Sequence, residues 1–176
     1  MSKKIFNENE YNSNDGMLTS IWGPPLWHSL HVMSFNYPVK PNKEIKKHYL
    51  EFFTNLKYIL PCKYCRDNYI INLKNNPITP KVLKNRESFS RWLYEMHEII
   101  NSNLNKKSGL TYDDVRDRYE HFRSRCLNNP VEDTKIEKGC TESLYGIKSK
   151  CILNIVPTAS NKITFNIDKK CNIIKK

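Results

Sequence analysis

The chain has 176 residues, of which 39% are hydrophobic and 27% are charged, and its formal net charge is +11. A domain usually holds roughly 100 to 200 residues, so this length suits one domain with some additional sequence. Ten tyrosines, seven phenylalanines and three tryptophans exclude a wholly disordered chain. The lysines are spread along the whole chain, which favours a composition bias over a nucleic-acid interface.

Membrane and export signals are not expected. No segment approaches the roughly 18 consecutive apolar residues of a membrane helix. Residues 1–10 lack the apolar centre of a signal peptide, so we expect an intracellular protein without a membrane span. The first 19 residues are polar and include the turn signal Asn14-Asp15-Gly16, and we interpret residues 1–19 as a flexible arm.

Apolar residues that recur at three- and four-residue intervals predict the first four helices in chain order. The first runs from about Pro24 to Asn36, with the prolines in its first turn. The second lies between Pro41 and Pro61, and the third carries the cysteine pair Cys62 and Cys65 and ends before Pro77. The fourth starts near Ser88 or Ser90 and continues to Leu104.

The last third of the chain has a mixed character. Thr111, with Asp114 three residues later, resembles a capping box and predicts a fifth helix that continues to about Cys126. Residues 151–156 and 162–167 look like two strands joined by a turn at residues 157–161. The predicted fold is all-α: a four-helix bundle with a short fifth helix, and a tail that forms a weak hairpin or is disordered.

The run Pro61-Cys62-Lys63-Tyr64-Cys65 carries most of the chemical information. A CxxC pair at a helix start places two sulfurs within disulfide reach, and the helix N-terminus favours the reactive thiolate. A zinc half-site is the main alternative, but zinc needs four ligands and no second CxxC is present. A thioredoxin-like site expects a strand before the motif, whereas here a predicted helix precedes it.

A second set of residues accompanies the pair: Trp22-Gly23-Pro24-Pro25-Leu26-Trp27-His28-Ser29-Leu30-His31, Tyr37-Pro38, residues 92–101 with His97 and Asn101, and Leu104-Asn105-Lys106. In this order and spacing, residues 20–126 resemble the Erv/ALR-type sulfhydryl oxidases, especially those encoded by large DNA viruses. The resemblance implies an oxidase domain over 20–126 and a cysteine-containing tail over 127–176. It also implies a helical bundle around FAD, in which dithiols are oxidised to disulfides and molecular oxygen, or a cytochrome in some members, accepts the electrons.

The resemblance assigns roles by position. Cys65 would lie beside the flavin ring, and Cys62 would be attacked by the incoming thiolate. The residues around FAD would be Trp22, Trp27, His31, Tyr37, His97, Asn101 and Lys106. The implied partners are protein dithiols or a thioredoxin-like relay protein, and a second copy of the chain in a homodimer. The implied location is the cytoplasm, or the host cytoplasm or virion for a viral protein. No metal site is expected, and a zinc-binding, nucleic-acid-associated helical module is the alternative function.

Several positions depart from the family pattern. Glu98 replaces a common Asn, and Tyr94 and Asp114 stand where many members have a structural disulfide. Asn105 replaces a Gly but can still adopt the left-handed conformation that ends a helix. Four further cysteines could include a shuttle pair or could be unpaired or structural, and the spacing leaves both open: Cys126, Cys140, Cys151 and Cys171.

Overall fold

The structure is a computed structural model, and it describes residues 7–127, 139–145, 147–162 and 168. The chain divides into two compact units, Met1–Lys107 and Ser108–Lys176. The elements of the first unit are α1 (Glu8–Asn12), α2 (Thr19–Asn36), α3 (Lys43–Ile59), α4 (Lys63–Asn75), a 3₁₀ helix (Val82–Lys84) and α5 (Arg86–Asn103). Those of the second are α6 (Tyr112–Glu120), β1 (Ser124–Leu127) and β2 (Gly139–Ser143).

Side-chain caps start the helices of the bundle. The side chain of Asn42 accepts a hydrogen bond from the backbone N–H of Ile45 at the start of α3. Asn85 and Ser88 form a reciprocal capping box at the start of α5. Each cap satisfies a backbone group that has no partner within the helix. Helix α2 begins five residues before the predicted start, and Pro24 and Pro25 therefore lie inside it.

The core of the first unit lies between α2, α3, α4, α5 and the 3₁₀ helix. Helix α2 packs on α5, and α3 packs on α4. Aromatic rings fill the centre in edge-to-face arrangements, with Phe53 and Phe89 at a centroid distance of 5.0 Å. The predicted apolar faces are thus confirmed in the main, although Phe52 and Ile59 of α3 are exposed. The buried cluster consists of Leu30, Tyr37, Phe53, Leu56, Tyr69, Leu83, Phe89, Trp92, Leu93 and Met96.

The second unit differs from its prediction. Helix α6 starts with the expected capping box of Thr111 and Asp114, but it ends at Glu120 and the chain then enters a strand. Strand β1 pairs antiparallel with β2, with Ser124 opposite Ser143 and Leu127 opposite Gly139. The extension of the fifth helix to Cys126 was therefore wrong, because the pairing with β2 determines the conformation of these residues.

A hairpin was expected later in the chain. Residues 151–157 contain no regular secondary structure, and residues 163–167 lie outside the described residues. The expected turn is present, since the Ser160 N–H donates to the Pro157 carbonyl at 2.8 Å. In the part of the chain that the structure describes, no helix is both long and apolar enough to cross a bilayer.

Candidate active site

The two cysteines of the CxxC motif form a disulfide at the start of α4. Cys62 is the N-cap residue of this helix and Cys65 lies in its first turn, with 5.2 Å between their Cα atoms. The Cys65 backbone N–H donates to Cys62 Sγ at 3.2 Å. A sulfur in this position faces the positive end of the helix, which stabilises the thiolate after reduction. Both residues are half-buried.

The N-terminal segment reaches this disulfide. Gly16 forms an antiparallel bridge with Cys62, and the Met17 N–H donates to the Pro61 carbonyl at 2.7 Å. Residues 1–19 were expected to form a flexible arm, and this contact was not predicted from the sequence. Its only local signal was the glycine of the Asn14-Asp15-Gly16 turn.

Three of the predicted site residues come together between α2 and α5. The rings of Trp27 and His97 stack almost in parallel, with a centroid distance of 3.8 Å and an interplanar angle of 4°. His31 Nε2 lies 3.1 Å from His97 Nδ1, which is hydrogen-bonding distance. Trp27 and His31 are four residues apart on one face of α2, as predicted, and their centroids lie 6.1 Å apart. We call Trp27, His31 and His97 the ring cluster.

Burial controls the charge of His97. It lowers the pKa of His97 to about 4, and the nearby Glu98 carboxylate opposes this effect only in part. His97 is therefore neutral at pH 7. A neutral imidazole stacked on an indole offers a flat, uncharged surface, which suits an uncharged heterocycle.

Asn101, Lys106 and Trp22 lie outside the ring cluster. Asn101 is one turn after His97 on α5, and its amide donates to the Glu98 carboxylate at 2.9 Å. Lys106 is exposed, and its backbone N–H donates to the Asn101 carbonyl at 2.8 Å. The Trp22 indole N–H donates to the Met17 carbonyl at 3.0 Å. Their contacts with a cofactor stay predictions.

Tyr37 lies in the apolar core. Its ring is fully buried against Phe89, and its hydroxyl donates to the Leu83 carbonyl at 3.0 Å. The ring thus fills the core while its hydroxyl has a hydrogen-bond partner, as a buried tyrosine needs. A cofactor contact of Tyr37 also stays a prediction. Its hydroxyl would have to bind the cofactor in addition to the Leu83 carbonyl.

Two of the departures from the family pattern, Asn105 and Asp114, have local explanations. Asn105 adopts the left-handed conformation with φ 54°, as predicted for the residue that replaces glycine. Asp114 accepts from the Thr111 N–H at 2.9 Å in the capping box of α6. A capping carboxylate at this position stabilises the helix start, so the residue has a role that a cysteine could not perform.

The tail cysteines differ in state. Cys140, on β2, is part of a disulfide, whereas Cys151 is a free and exposed thiol. The side chain of Cys126 and all of Cys171 fall outside the described residues. Where the structure does describe side chains, no three His, Cys, Asp or Glu residues are grouped to hold a metal ion.

A helical bundle with a disulfide at a helix start and a partly buried cluster of stacked rings defines a class of protein, the helical dithiol–disulfide redox proteins. Comparison with known families makes this specific. The profile of the Erv1 / Alr family matches residues 24–126. The chain belongs to the Erv1 / Alr family.

Two viral relatives and one solved structure illustrate the similarity. A probable FAD-linked sulfhydryl oxidase of Acanthamoeba polyphaga mimivirus is 36% identical over 99 residues, which are 56% of this chain and 68% of the relative. An FAD-linked sulfhydryl oxidase of African swine fever virus is 32% identical over 99 residues, 56% of this chain and 80% of the relative. The crystal structure of the FAD-binding domain of Erv1 from Saccharomyces cerevisiae matches with a TM-score of 0.54 at 24% identity, covering 58% of this chain and 94% of that domain. This match confirms the predicted fold class.

Proposed function

We propose that this chain is an FAD-linked thiol oxidase that forms disulfides in protein substrates, with the overall reaction 2 R–SH + O₂ → R–S–S–R + H₂O₂. The observation that carries the proposal is the Cys62–Cys65 disulfide at the start of α4 in a chain of the Erv1 / Alr family. Its viral relatives are named FAD-linked sulfhydryl oxidases. A zinc module, the alternative from the sequence, has no supporting observation.

The cysteines act by thiol–disulfide exchange. A substrate thiolate attacks Cys62 Sγ, which forms a mixed disulfide and breaks the Cys62–Cys65 bond, so Cys65 leaves as a thiolate. The second substrate thiol, as its thiolate, attacks the substrate sulfur of the mixed disulfide and releases Cys62. The substrate is then oxidised and the pair is reduced. Bound FAD supplies the remaining chemistry by accepting two electrons from the reduced pair and passing them to molecular oxygen.

The ring cluster suits an uncharged heterocycle. A third ring does not fit between Trp27 and His97, because their 3.8 Å separation is already that of a stacked pair. A heterocycle of FAD would therefore lie against an outer face of this pair. The neutral His97 keeps this surface free of a positive charge, and the surface is partly buried.

Asn101 and Lys106 follow the ring cluster at the end of α5. An amide can hydrogen-bond to a heterocycle edge, and an ammonium can pair with a phosphate of the cofactor. The exposure of Lys106 supports a role at the solvent side, where a diphosphate would lie. Trp22 and Tyr37 complete the proposed set. Lys106→Ala should weaken FAD affinity without changing the absorbance maximum of the flavin that remains bound.

Flavin content and oxygen consumption test the function. The purified chain should be yellow and should release FAD on denaturation, and it should consume oxygen when dithiothreitol is added. Cys62→Ala and Cys65→Ala should retain FAD and lose this oxygen consumption. Colourless, flavin-free protein that consumes no oxygen would refute the proposal.

A homodimer is the proposed assembly, supported by apolar side chains on the outer face of α2. Ile21 and Val32 are 39% and 41% exposed, and eleven residues correspond to three helical turns, so both lie on one face. Light scattering should give the mass of two chains, and Val32→Glu should give that of one. A monomeric parent protein would contradict this assembly.

The proposed partners are protein dithiols or a thioredoxin-like relay protein, and the proposed location is the cytoplasm or a virion. Trapping with Cys65→Ala and an oxidised partner tests the partners: the Cys62 thiolate attacks the disulfide of the partner, one partner sulfur leaves as a thiolate, and no Cys65 is present to release the partner from the mixed disulfide. A thioredoxin-like protein in the trapped complex would identify the relay, and cell fractionation tests the location.

A further inference from the structure

Residues 14–17, which we call the strap, lie antiparallel to the loop that contains Cys62. The Met17 N–H donates to the Pro61 carbonyl at 2.7 Å, and the Lys63 N–H donates to the Asp15 carbonyl at 2.7 Å. Gly16 pairs with Cys62 between these two bonds. The strap therefore holds the backbone on both sides of the first redox cysteine.

Gly16 allows the strap to approach this closely. A Cβ atom at this position would lie 2.5 Å from the Pro61 carbonyl oxygen and 2.6 Å from the Cα of Cys62. Its φ of +124° is also a conformation that side chains rarely adopt. Any larger residue at position 16 must displace the strap or the backbone of Cys62.

Arg66, the residue after Cys65, connects the strap to the cysteine loop by hydrogen bonds. Its guanidinium donates from Nη1 to the Leu60 carbonyl at 2.8 Å and from Nη2 to the Asn14 carbonyl at 3.0 Å. One planar group thus bridges the loop before Cys62 and the strap. A lysine ammonium keeps the charge but lacks this rigid fork.

The strap is anchored at its other end by α2. The Trp22 indole N–H donates to the Met17 carbonyl at 3.0 Å. The same residue, Met17, donates its own N–H to Pro61. A continuous series of hydrogen bonds therefore runs from α2 through the strap to the cysteine loop.

We propose that the strap is a positioning element for the redox disulfide, with Gly16 and Arg66 as its positioning residues. By fixing the backbone at Cys62, it keeps Cys62 Sγ at the start of α4 and within bonding distance of Cys65. It also occupies the hydrogen-bonding edge of residues 61–63. A protein substrate therefore cannot pair its own backbone with this edge, and its thiolate reaches Cys62 from another side. This inference rests on the proposed thiol-oxidase function.

Two variants of unchanged net charge test the strap, each with a matched control. Gly16→Ala adds the clashing Cβ, whereas Gly109→Ala adds a Cβ at another positive φ, +68°, with nothing within 4 Å. Arg66→Lys breaks the fork, whereas Arg91→Lys alters an exposed arginine that pairs with Glu87 on α5. Each full-length variant is equilibrated anaerobically with glutathione buffers. The Cys62–Cys65 disulfide is then quantified by alkylation and peptide mass spectrometry.

In Gly16→Ala and Arg66→Lys, the equilibrium constant for reduction of the Cys62–Cys65 disulfide by glutathione should rise at least threefold. In both control variants it should stay within threefold of the value for the parent protein. The kcat/KM for dithiothreitol should fall at least threefold while flavin content is retained. If Arg66→Lys leaves the disulfide equilibrium within threefold, the proposal is overturned. Arg66→Lys also decides alone if Gly16→Ala does not fold.

The experiments distinguish a failure of the strap proposal from a failure of the proposed thiol-oxidase function. The glutathione equilibrium measures the disulfide alone and remains valid in flavin-free protein. A parent protein without flavin or oxidase activity would refute the proposed function only. A strap that merely stabilises the N-terminal segment would change the melting temperature of the variants and leave the disulfide equilibrium unchanged, and this result overturns the proposal.

Discussion

Protonation of His97 should destabilise the folded protein in mild acid. The imidazole is largely but not fully buried in the ring cluster, where it stacks on Trp27 and lies 3.1 Å from His31. Burial lowers its pKa from 6.5 to about 4, although Glu98 opposes the shift. The folded state therefore resists a proton that the unfolded state accepts.

The sign and size of the effect follow from these two pKa values. Above pH 6.5 His97 is neutral in both states and contributes no pH dependence. Between pH 6.5 and pH 4 the unfolded state binds more protons, so the free energy of unfolding falls as the pH falls. A difference of about 2.5 pKa units corresponds to a loss of about 3 kcal/mol, complete near pH 4.

Urea unfolding of the full chain between about pH 7 and about pH 4 measures this loss. Carboxylates also titrate near the lower end, so the difference between the parent protein and His97→Gln isolates the contribution of His97. His48→Gln is the control, because His48 is exposed on α3, where it lies 3.7 Å from Glu44. If the parent protein and His97→Gln lose stability in parallel as the pH falls, the reasoning about His97 is wrong.

Three further predictions concern the core, a helix end and the tail. Phe89→Ala should lower the free energy of unfolding by about 3 to 5 kcal/mol, because it leaves a cavity where a fully buried ring was packed. Tyr58 is exposed, so an equal effect of Tyr58→Ala in urea unfolding would contradict this. Asn105→Gly should raise that free energy by up to about 1 kcal/mol, since φ is 54°, and a loss of stability in the same assay would contradict it. Cys140→Ser should slow oxygen consumption with a reduced protein as substrate but not with dithiothreitol, and Cys151→Ser, the control, should slow neither reaction. Equal rates for Cys140→Ser and the parent protein on both substrates would exclude a shuttle role for Cys140.

The helices of the bundle could be predicted because their apolar periodicity reflects burial directly. Helices α3, α4 and α5 start and end within a few residues of the expected positions, and Asn105 ends its helix in the expected conformation. The four-residue spacing of Trp27 and His31 also placed them on one face. These features depend on local sequence, so a single sequence contains the necessary information.

The remaining features depend on partners far along the chain. Cys126 lies in a strand because β1 pairs with β2, about fifteen residues later, and nothing in its own segment signals this partner. The strap meets Cys62 across more than forty residues and uses mainly backbone groups, which every residue carries. The early start of α2 was missed because Pro24 and Pro25 usually mark a first turn.

Anaerobic reduction of the bound flavin by dithiothreitol tests the central claim most directly, because it isolates electron transfer through the Cys62–Cys65 pair from the reaction with oxygen. The parent protein should lose its visible flavin absorbance within the time of one turnover. Cys62→Ser and Cys65→Ser should hold the same amount of FAD and keep that absorbance over the same interval. Flavin that is bleached equally fast in all three proteins would contradict the account, because electrons would then reach FAD without the disulfide at the start of α4.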